Sequence, residues 1–230
     1  FVGELVALQA EDGYLGPWPE AWRLRKGGPT CDEPWDAWGH YHIMLGLLLW
    51  HELVDDQRAL DCARRIADLF VRRFLHGDEQ LHDTDAHEMN QAPVHSLALL
   101  YRLTGEPDYL ALAQKIVEEF ALPPAGDYYR QGLADVPFHE TPKPRWESLH
   151  PIMGLVDLYY VTGDETVRQA FENLWWSMLE GDRHNNGGFT SGERAAGNPY
   201  DWRAIETCCT VAWAAMPVET LKLTRKSVVA

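Results

Sequence analysis

The feature that most constrains this chain is a short Gly/Asp turn that recurs between apolar and amphipathic segments. Val54-Asp55-Asp56, Thr104-Gly105-Glu106-Pro107 and Thr162-Gly163-Asp164 each end an apolar run and open a one-sided one. Gly and Asp punctuate chains at such points. A carboxylate there favours a new helix start, and Pro107 suits a first helical turn. Each turn therefore predicts a helical hairpin. The first is expected from about Trp35 to Trp50, returning through Leu60, Ala63, Ala67, Phe70 and Phe74. The second is expected from about Ala92 to Leu103, returning through Leu110, Ala113, Val117 and Phe120. The third is expected from about Trp146 to Val161, returning through Val167, Ala170, Phe171, Leu174 and Met178. The returning segments place apolar residues every three to four positions, the period of a one-sided helix.

The two members of each pair differ in kind. Ile43-Met44-Leu45-Gly46-Leu47-Leu48-Leu49-Trp50 is apolar almost all round, which predicts a buried helix. The returning helices carry charge, as in Arg64-Arg65 and Glu118-Glu119, and are expected to cover the inner ones. Repeated inner–outer pairs predict an all-α fold, an (α/α) barrel, as a single domain over residues 1–230. No stretch alternates as a committed strand does. Residues 1–10 read as the end of a helix, and 17–34 as a loop rich in Gly and Pro. A fourth copy begins at Ala204, with Pro217 expected to kink it, and its returning helix is missing. The chain is therefore expected to be a fragment, incomplete at both ends. Stretches 76–91, 122–145 and 181–203 are expected as long loops, the kind that carry function.

A net charge of −15 disfavours nucleic acid and anionic membrane as partners, because phosphate would be repelled. No apolar run reaches membrane-spanning length. The four cysteines, Cys31, Cys62, Cys208 and Cys209, are too few for a disulfide framework in 230 residues, which points to reduced thiols and a cytoplasmic location. Ten Trp fit two readings equally: rings filling space between helices, or ring faces lining a sugar cleft.

The chemistry concentrates in Gly187-Gly188-Phe189-Thr190-Ser191-Gly192-Glu193 and Ala204-Ile205-Glu206-Thr207-Cys208-Cys209-Thr210. Glu206, Cys208 and Cys209 offer a carboxylate and two thiols, a donor set suited to zinc. On a regular helix Cys208 points away from the face shared by Glu206 and Cys209, and convergence requires an irregular first turn. The alternative is a pair of small buried cysteines. Glu193 is placed to protonate a leaving group, the alternative being a solvated loop glutamate. Trp38, His40 and His42 enter the first inner helix, and Trp146 and His150 enter the third. Mixed Trp and His at a barrel mouth suits sugar hydroxyls; core or capping histidines are the alternative.

Glu193 in a Gly-Glu turn, then Asn198-Pro199-Tyr200-Asp201, then Glu206-Thr207-Cys208, resembles glycoside hydrolase family 127, the β-L-arabinofuranosidases and their relatives. Gln9-Ala10-Glu11-Asp12-Gly13-Tyr14-Leu15 is similar to that family's Gln-x-x-Asp-Gly-Tyr-Leu segment, and His42 resembles the histidine opening its early barrel helix. The resemblance implies a barrel of the six-hairpin glycosidase type and retaining hydrolysis of a furanoside, with a carbohydrate as partner. It implies Glu193 as general acid/base, and Glu206 and Cys208 as two zinc ligands. It also implies a downstream cysteine pair that completes the metal site and supplies the nucleophile. Here the adjacent cysteines fall inside the Glu-Thr-Cys segment itself, so Cys209 is expected as an extra ligand and the nucleophile outside these residues. Two other readings stand beside this one. A metal-free α/α-barrel sugar enzyme, such as an uronyl hydrolase or epimerase, would rely on Asp and His. A non-catalytic helical carbohydrate-binding scaffold would bind without turnover.

Overall fold

The computed structural model describes residues 1–28, 34–190 and 192–226, so Cys31 and Ser191 lie outside the described residues. Its contacts divide it into two compact units, Phe1–Glu119 and Phe120–Ala230. Among the described residues there is no strand, only the isolated bridges Arg145–Arg194 and Arg183–Phe189. The expected all-α class is what forms.

The first unit holds α1 (Val2–Leu8), α2 (Asp36–Val54), α3 (Gln57–Phe70), α4 (His87–Asn90), α5 (Pro93–Thr104) and α6 (Pro107–Glu119). Helices α2 and α3 pair, as do α5 and α6, and α2 also packs on α5. The second unit holds α7 (Tyr128–Leu133), α8 (Leu149–Thr162), α9 (Glu165–Gly181) and α10 (Thr207–Thr224). Helix α9 packs on both α7 and α8, and α10 packs on α8.

The turns form as the sequence requires. Asp55, Gly105 and Gly163 adopt left-handed backbone at φ 56, 71 and 70° and close α2, α5 and α8. Glycine takes this conformation without strain, and Asp tolerates it. Asp56 and Asp164 then accept the N–H of Arg58 and Thr166 at 3.1 and 2.9 Å, capping α3 and α9. Thr104 and Thr162 lock the corner: each hydroxyl donates back to the carbonyl four residues earlier, at 2.8 and 2.6 Å. Each also accepts the N–H of the coming acidic residue, at 3.3 and 3.1 Å. Thr224 repeats both bonds at the end of α10, with Arg225 at φ 54° in the place of glycine.

Helix α8 is buried along nearly its whole length, as its all-apolar character predicts. Helix α2 is not: Leu49, Leu53 and Val54 are exposed, because only the flank of Tyr41, Met44, Leu47 and Leu48 faces α3 and α5. The stretches expected as loops contain more structure than expected. Residues 76–91 include a 3₁₀ turn at Leu81–Thr84 and the short α4. Residues 122–145 include α7 and a 3₁₀ turn at Phe138–Glu140. Helix α10 continues through Pro217 to Thr224.

Candidate active site

The segment between α9 and α10 carries the candidate acid and leads into the cysteines. It leaves α9 as a narrow hairpin, with Arg183 bridged to Phe189 and the His184 N–H donating to the Gly188 carbonyl at 2.8 Å. The Phe189 ring is fully buried and stacks on Trp213 of α10, centroids 4.8 Å apart and planes within 9°. Trp213 stacks in turn on Trp175 of α9 at 6.1 Å. Such contacts add about 0.5–1.5 kcal/mol per pair beyond burial, so the hairpin tip is fixed to the core.

Beyond Phe189 the backbone is strained. Thr190 and Glu193 sit at φ 54 and 63°, among Gly192 at 57° and Gly197 at 62°. Left-handed backbone costs a non-glycine residue about 1–2 kcal/mol, and such strain collects at functional sites. Neighbouring backbone holds it in place. Gly192 N–H donates to the Ala204 carbonyl at 2.9 Å, Ala195 N–H to the Pro144 carbonyl at 2.8 Å, and Trp146 N–H to the Glu193 carbonyl at 3.3 Å.

This pairing brings Glu193 to Arg145. Arg145 Nη2 donates to Glu193 Oε2 at 2.9 Å and to Glu147 Oε1 at 2.9 Å, while its Nε donates to Glu147 Oε2 at 3.1 Å. The Glu147 side chain is only 4% exposed and the Glu193 side chain 45%. One guanidinium therefore holds a buried and a solvent-facing carboxylate together, the fork geometry that arginine supplies. Neither Arg145 nor Glu147 stands out in the sequence as a site residue. The one local signal was opposite charge either side of Trp146 before an apolar helix, a pattern common on solvated surfaces.

Glu206, Cys208 and Cys209 converge: their ligand atoms lie within 4.8 Å of one another. The irregular first turn that convergence required is present, because Glu206 is extended at φ −91°, ψ 148° and caps α10 from outside the helix. Cys208 Sγ donates to Glu206 Oε2 at 3.4 Å. Cys208 is exposed and Cys209 buried. Burial, and then the neighbouring Cys208, Glu206 and Glu147, push the Cys209 thiol up to about 12. A bound cation would reverse that preference, since coordination deprotonates a thiol. The donor set of two thiols and a carboxylate fits three positions of a tetrahedral zinc. Cys209 also feels the charge of Glu147, which links the metal-type cluster to the Arg145-bridged acids.

In the same unit the Trp146 ring meets the buried His150 edge to face at 6.0 Å. The remaining candidates lie in the first unit. Trp38 meets His42 edge to face at 4.5 Å, and Tyr41 Oη lies 2.9 Å from His95 Nδ1. Desolvation of the His42 ring, and then the charge of His95, lower its pKa. His40 is 1% exposed and both its nitrogens are engaged. Leu15 N–H donates to Nε2 at 3.1 Å, so Nδ1 carries the proton and donates to the Asp36 carbonyl at 2.8 Å. Its direct work is to hold the Leu15 turn on α2.

The chain matches, over residues 1–230, the family described as β-L-arabinofuranosidase, GH127 catalytic domain. A non-reducing end β-L-arabinofuranosidase from Bifidobacterium longum subsp. longum is 27% identical over 120 residues, which are 50% of this chain and 18% of that protein. Among solved structures, a GH127 β-L-arabinofuranosidase from Geobacillus stearothermophilus T6 superposes with TM-score 0.74 at 21% identity, over 99% of this chain and 40% of that one. A GH127 β-arabinofuranosidase superposes with TM-score 0.75 at 21% identity, over 99% of this chain and 38% of that one. At that identity the likeness shows the fold, an all-α fold of the α/α-barrel glycosidase type. The chain spans less than half the length of each.

Proposed function

The chain belongs to the family of GH127 β-L-arabinofuranosidase catalytic domains, and from that premise we propose that it forms part of a retaining glycoside hydrolase acting on terminal furanosides of plant-type or similar glycans. The observation that carries this reading is the Arg145 fork, which ties Glu193 to Glu147 in the unit where Glu206, Cys208 and Cys209 converge. The 230 residues act within one catalytic domain.

In this reading Glu193 is the general acid/base, and Arg145 fixes the rotamer that presents its free oxygen to the glycosidic bond. In the first step Glu193 gives its proton to the leaving oxygen as the bond to the anomeric carbon breaks and a cysteine thiolate bonds to that carbon. In the second step Glu193 takes a proton from water, water oxygen bonds to the anomeric carbon, and the sulfur–carbon bond breaks. Glu206, Cys208 and Cys209 would hold a zinc ion. Such an ion keeps its thiol ligands deprotonated near neutral pH. In the second unit Trp146 and His150 offer a ring face and an imidazole to sugar hydroxyls. In the first unit Trp38 and His42 offer the same chemistry, and His40 supports that pair through the Leu15 turn.

The test is Glu193→Gln in the full-length enzyme that contains these residues, assayed on β-L-arabinofuranosides of differing leaving groups. Loss of about 10²–10⁴-fold is expected on a poor, alkyl leaving group, with little loss on a dinitrophenyl one. Full activity on both would remove Glu193 from the role. An enzyme equally active without metal would favour the metal-free sugar-enzyme reading.

A further inference from the structure

Glu193 sits in a strained loop whose two ends return to one buried residue. Asp182 follows directly on α9 and is 2% exposed. Its Oδ1 accepts the N–H of Ala196 at 2.8 Å and of Gly197 at 2.9 Å. Its backbone carbonyl accepts the N–H of Thr190 at 3.2 Å, and its own N–H donates to Met178 of α9 at 2.9 Å. One residue, seated on the last turn of a long helix, thus grips the loop before and after Glu193. Thr190 at the first grip, and Gly192 and Glu193 between the two, hold left-handed backbone.

The far end is built closely. Gly197 has φ 62°, and a Cβ placed there would lie 2.6 Å from the His139 ring. His139 in turn lies beside Gly181, the residue before Asp182. Asp182 Oδ2 is buried and makes no hydrogen bond. Burial pushes this carboxyl above its ordinary value, opposed by the two backbone N–H groups and by the charges of His139 and His184. What the geometry uses is an acceptor oxygen at one point.

We propose that Asp182 is the positioning residue for the acid/base Glu193: its side-chain oxygen and backbone carbonyl clamp the 190–197 loop and hold Glu193 in the conformation that reaches Arg145 and the glycosidic oxygen. This rests on the acid/base reading of Glu193. A displacement of about 1 Å at a catalytic group costs on the order of a hundredfold in rate, so the clamp has a measurable consequence.

In the full-length enzyme, the experiment compares Asp182→Ala and Asp182→Asn with Glu193→Gln. It measures kcat and KM on an alkyl and a dinitrophenyl β-L-arabinofuranoside, and hydrogen exchange at the Thr190, Ala196 and Gly197 amides. D182A is expected to lose protection at Ala196 and Gly197. It should lose about a hundredfold in kcat on the alkyl substrate and far less on the dinitrophenyl one, with KM little changed. D182N keeps the acceptor oxygen and is expected to restore both readouts. Equal loss on the two substrates in D182A, or no loss while E193Q keeps its leaving-group dependence, overturns the proposal. If D182A fails to fold, Asp182→Glu takes its place: it keeps the charge, shifts the acceptor, and should show the same leaving-group dependence. If E193Q shows no leaving-group dependence, the acid/base reading fails on its own. Exchange then decides the clamp: protection lost in D182A and kept in D182N supports it, and unchanged protection overturns it.

Discussion

Arg145 joins two carboxylates of unequal burial, and the inequality decides what its loss would do. The Arg145 side chain is 33% exposed, so its bond to the half-open Glu193 is worth little for stability. Its fork on Glu147 matters more, because Glu147 has a side chain only 4% exposed and would be left buried without that partner. Arg145→Ala is expected to destabilise by about 1–3 kcal/mol, the usual cost of a buried polar group stripped of its partner. Adding Glu147→Gln should recover part of the loss. A denaturant double-mutant cycle checks this, and strict additivity of the two changes would contradict it.

Glu119 gives a pH test at the same scale. It ends α6 at 4% exposure, accepts the His82 N–H through Oε2 at 2.8 Å, and leaves Oε1 without a hydrogen bond. Burial raises its pKa from 4.5; Asp83 and Glu118 add to the rise, and the His82 N–H and Lys115 oppose it. The folded chain therefore holds a proton that the unfolded chain releases first, and stability falls as pH rises from about 4.5 through the raised value. Glu119→Gln lacks that fall. Its melting temperature is expected to match the parent near pH 4 and to exceed it near neutrality. A constant offset across that range would contradict the assignment.

At the scale of elements, the hairpin turns were legible and α7 was not. Thr-Gly-Glu and Thr-Gly-Asp encode their corners locally, through a threonine that bonds both ways and a glycine free to turn left-handed, so no tertiary knowledge is needed. Helix α7 has six residues, too few to show a period, and contains Gly132. Its reason lies in packing: a Cβ at Gly132 would come 2.6 Å from the Ala170 carbonyl of α9, and Asn173 donates to the Gly132 carbonyl at 3.0 Å. Gly132→Ala is therefore expected to destabilise, although alanine is the better helix former by about 1 kcal/mol. A raised melting temperature in that variant would show α7 to be less tightly seated on α9 than described. The aromatic stack makes a second element-scale prediction. Trp213→Ala should cost about 3–5 kcal/mol and loosen the hairpin carrying Glu193, because Phe189 loses the ring that anchors it. Thermal melts with exchange at residues 184–190 read both effects. The open flank of α2 was misjudged because an all-apolar segment shows how much it can bury, not how many neighbours reach it.

At the scale of the whole molecule, the cluster of candidate groups was legible as a list and only partly as a geometry. Glu206, Cys208 and Cys209 are close in sequence, and whether they converge turned on one extended residue outside α10. Arg145 and Glu193 are far apart in sequence and meet through backbone pairing of two irregular segments, which no period signals. Among the described residues no helix is long and apolar enough to cross a membrane, and the charge of −15 stands against a polyanionic partner. We propose that Glu206, Cys208 and Cys209 hold zinc in the unit that carries Glu193. The most direct measurement is elemental zinc analysis of the protein purified under reducing conditions, alongside Cys208→Ser and Cys209→Ser. Near-stoichiometric zinc is expected in the parent and should fall sharply in both variants. Absence of zinc from the parent, or zinc retained unchanged in both variants, would contradict it.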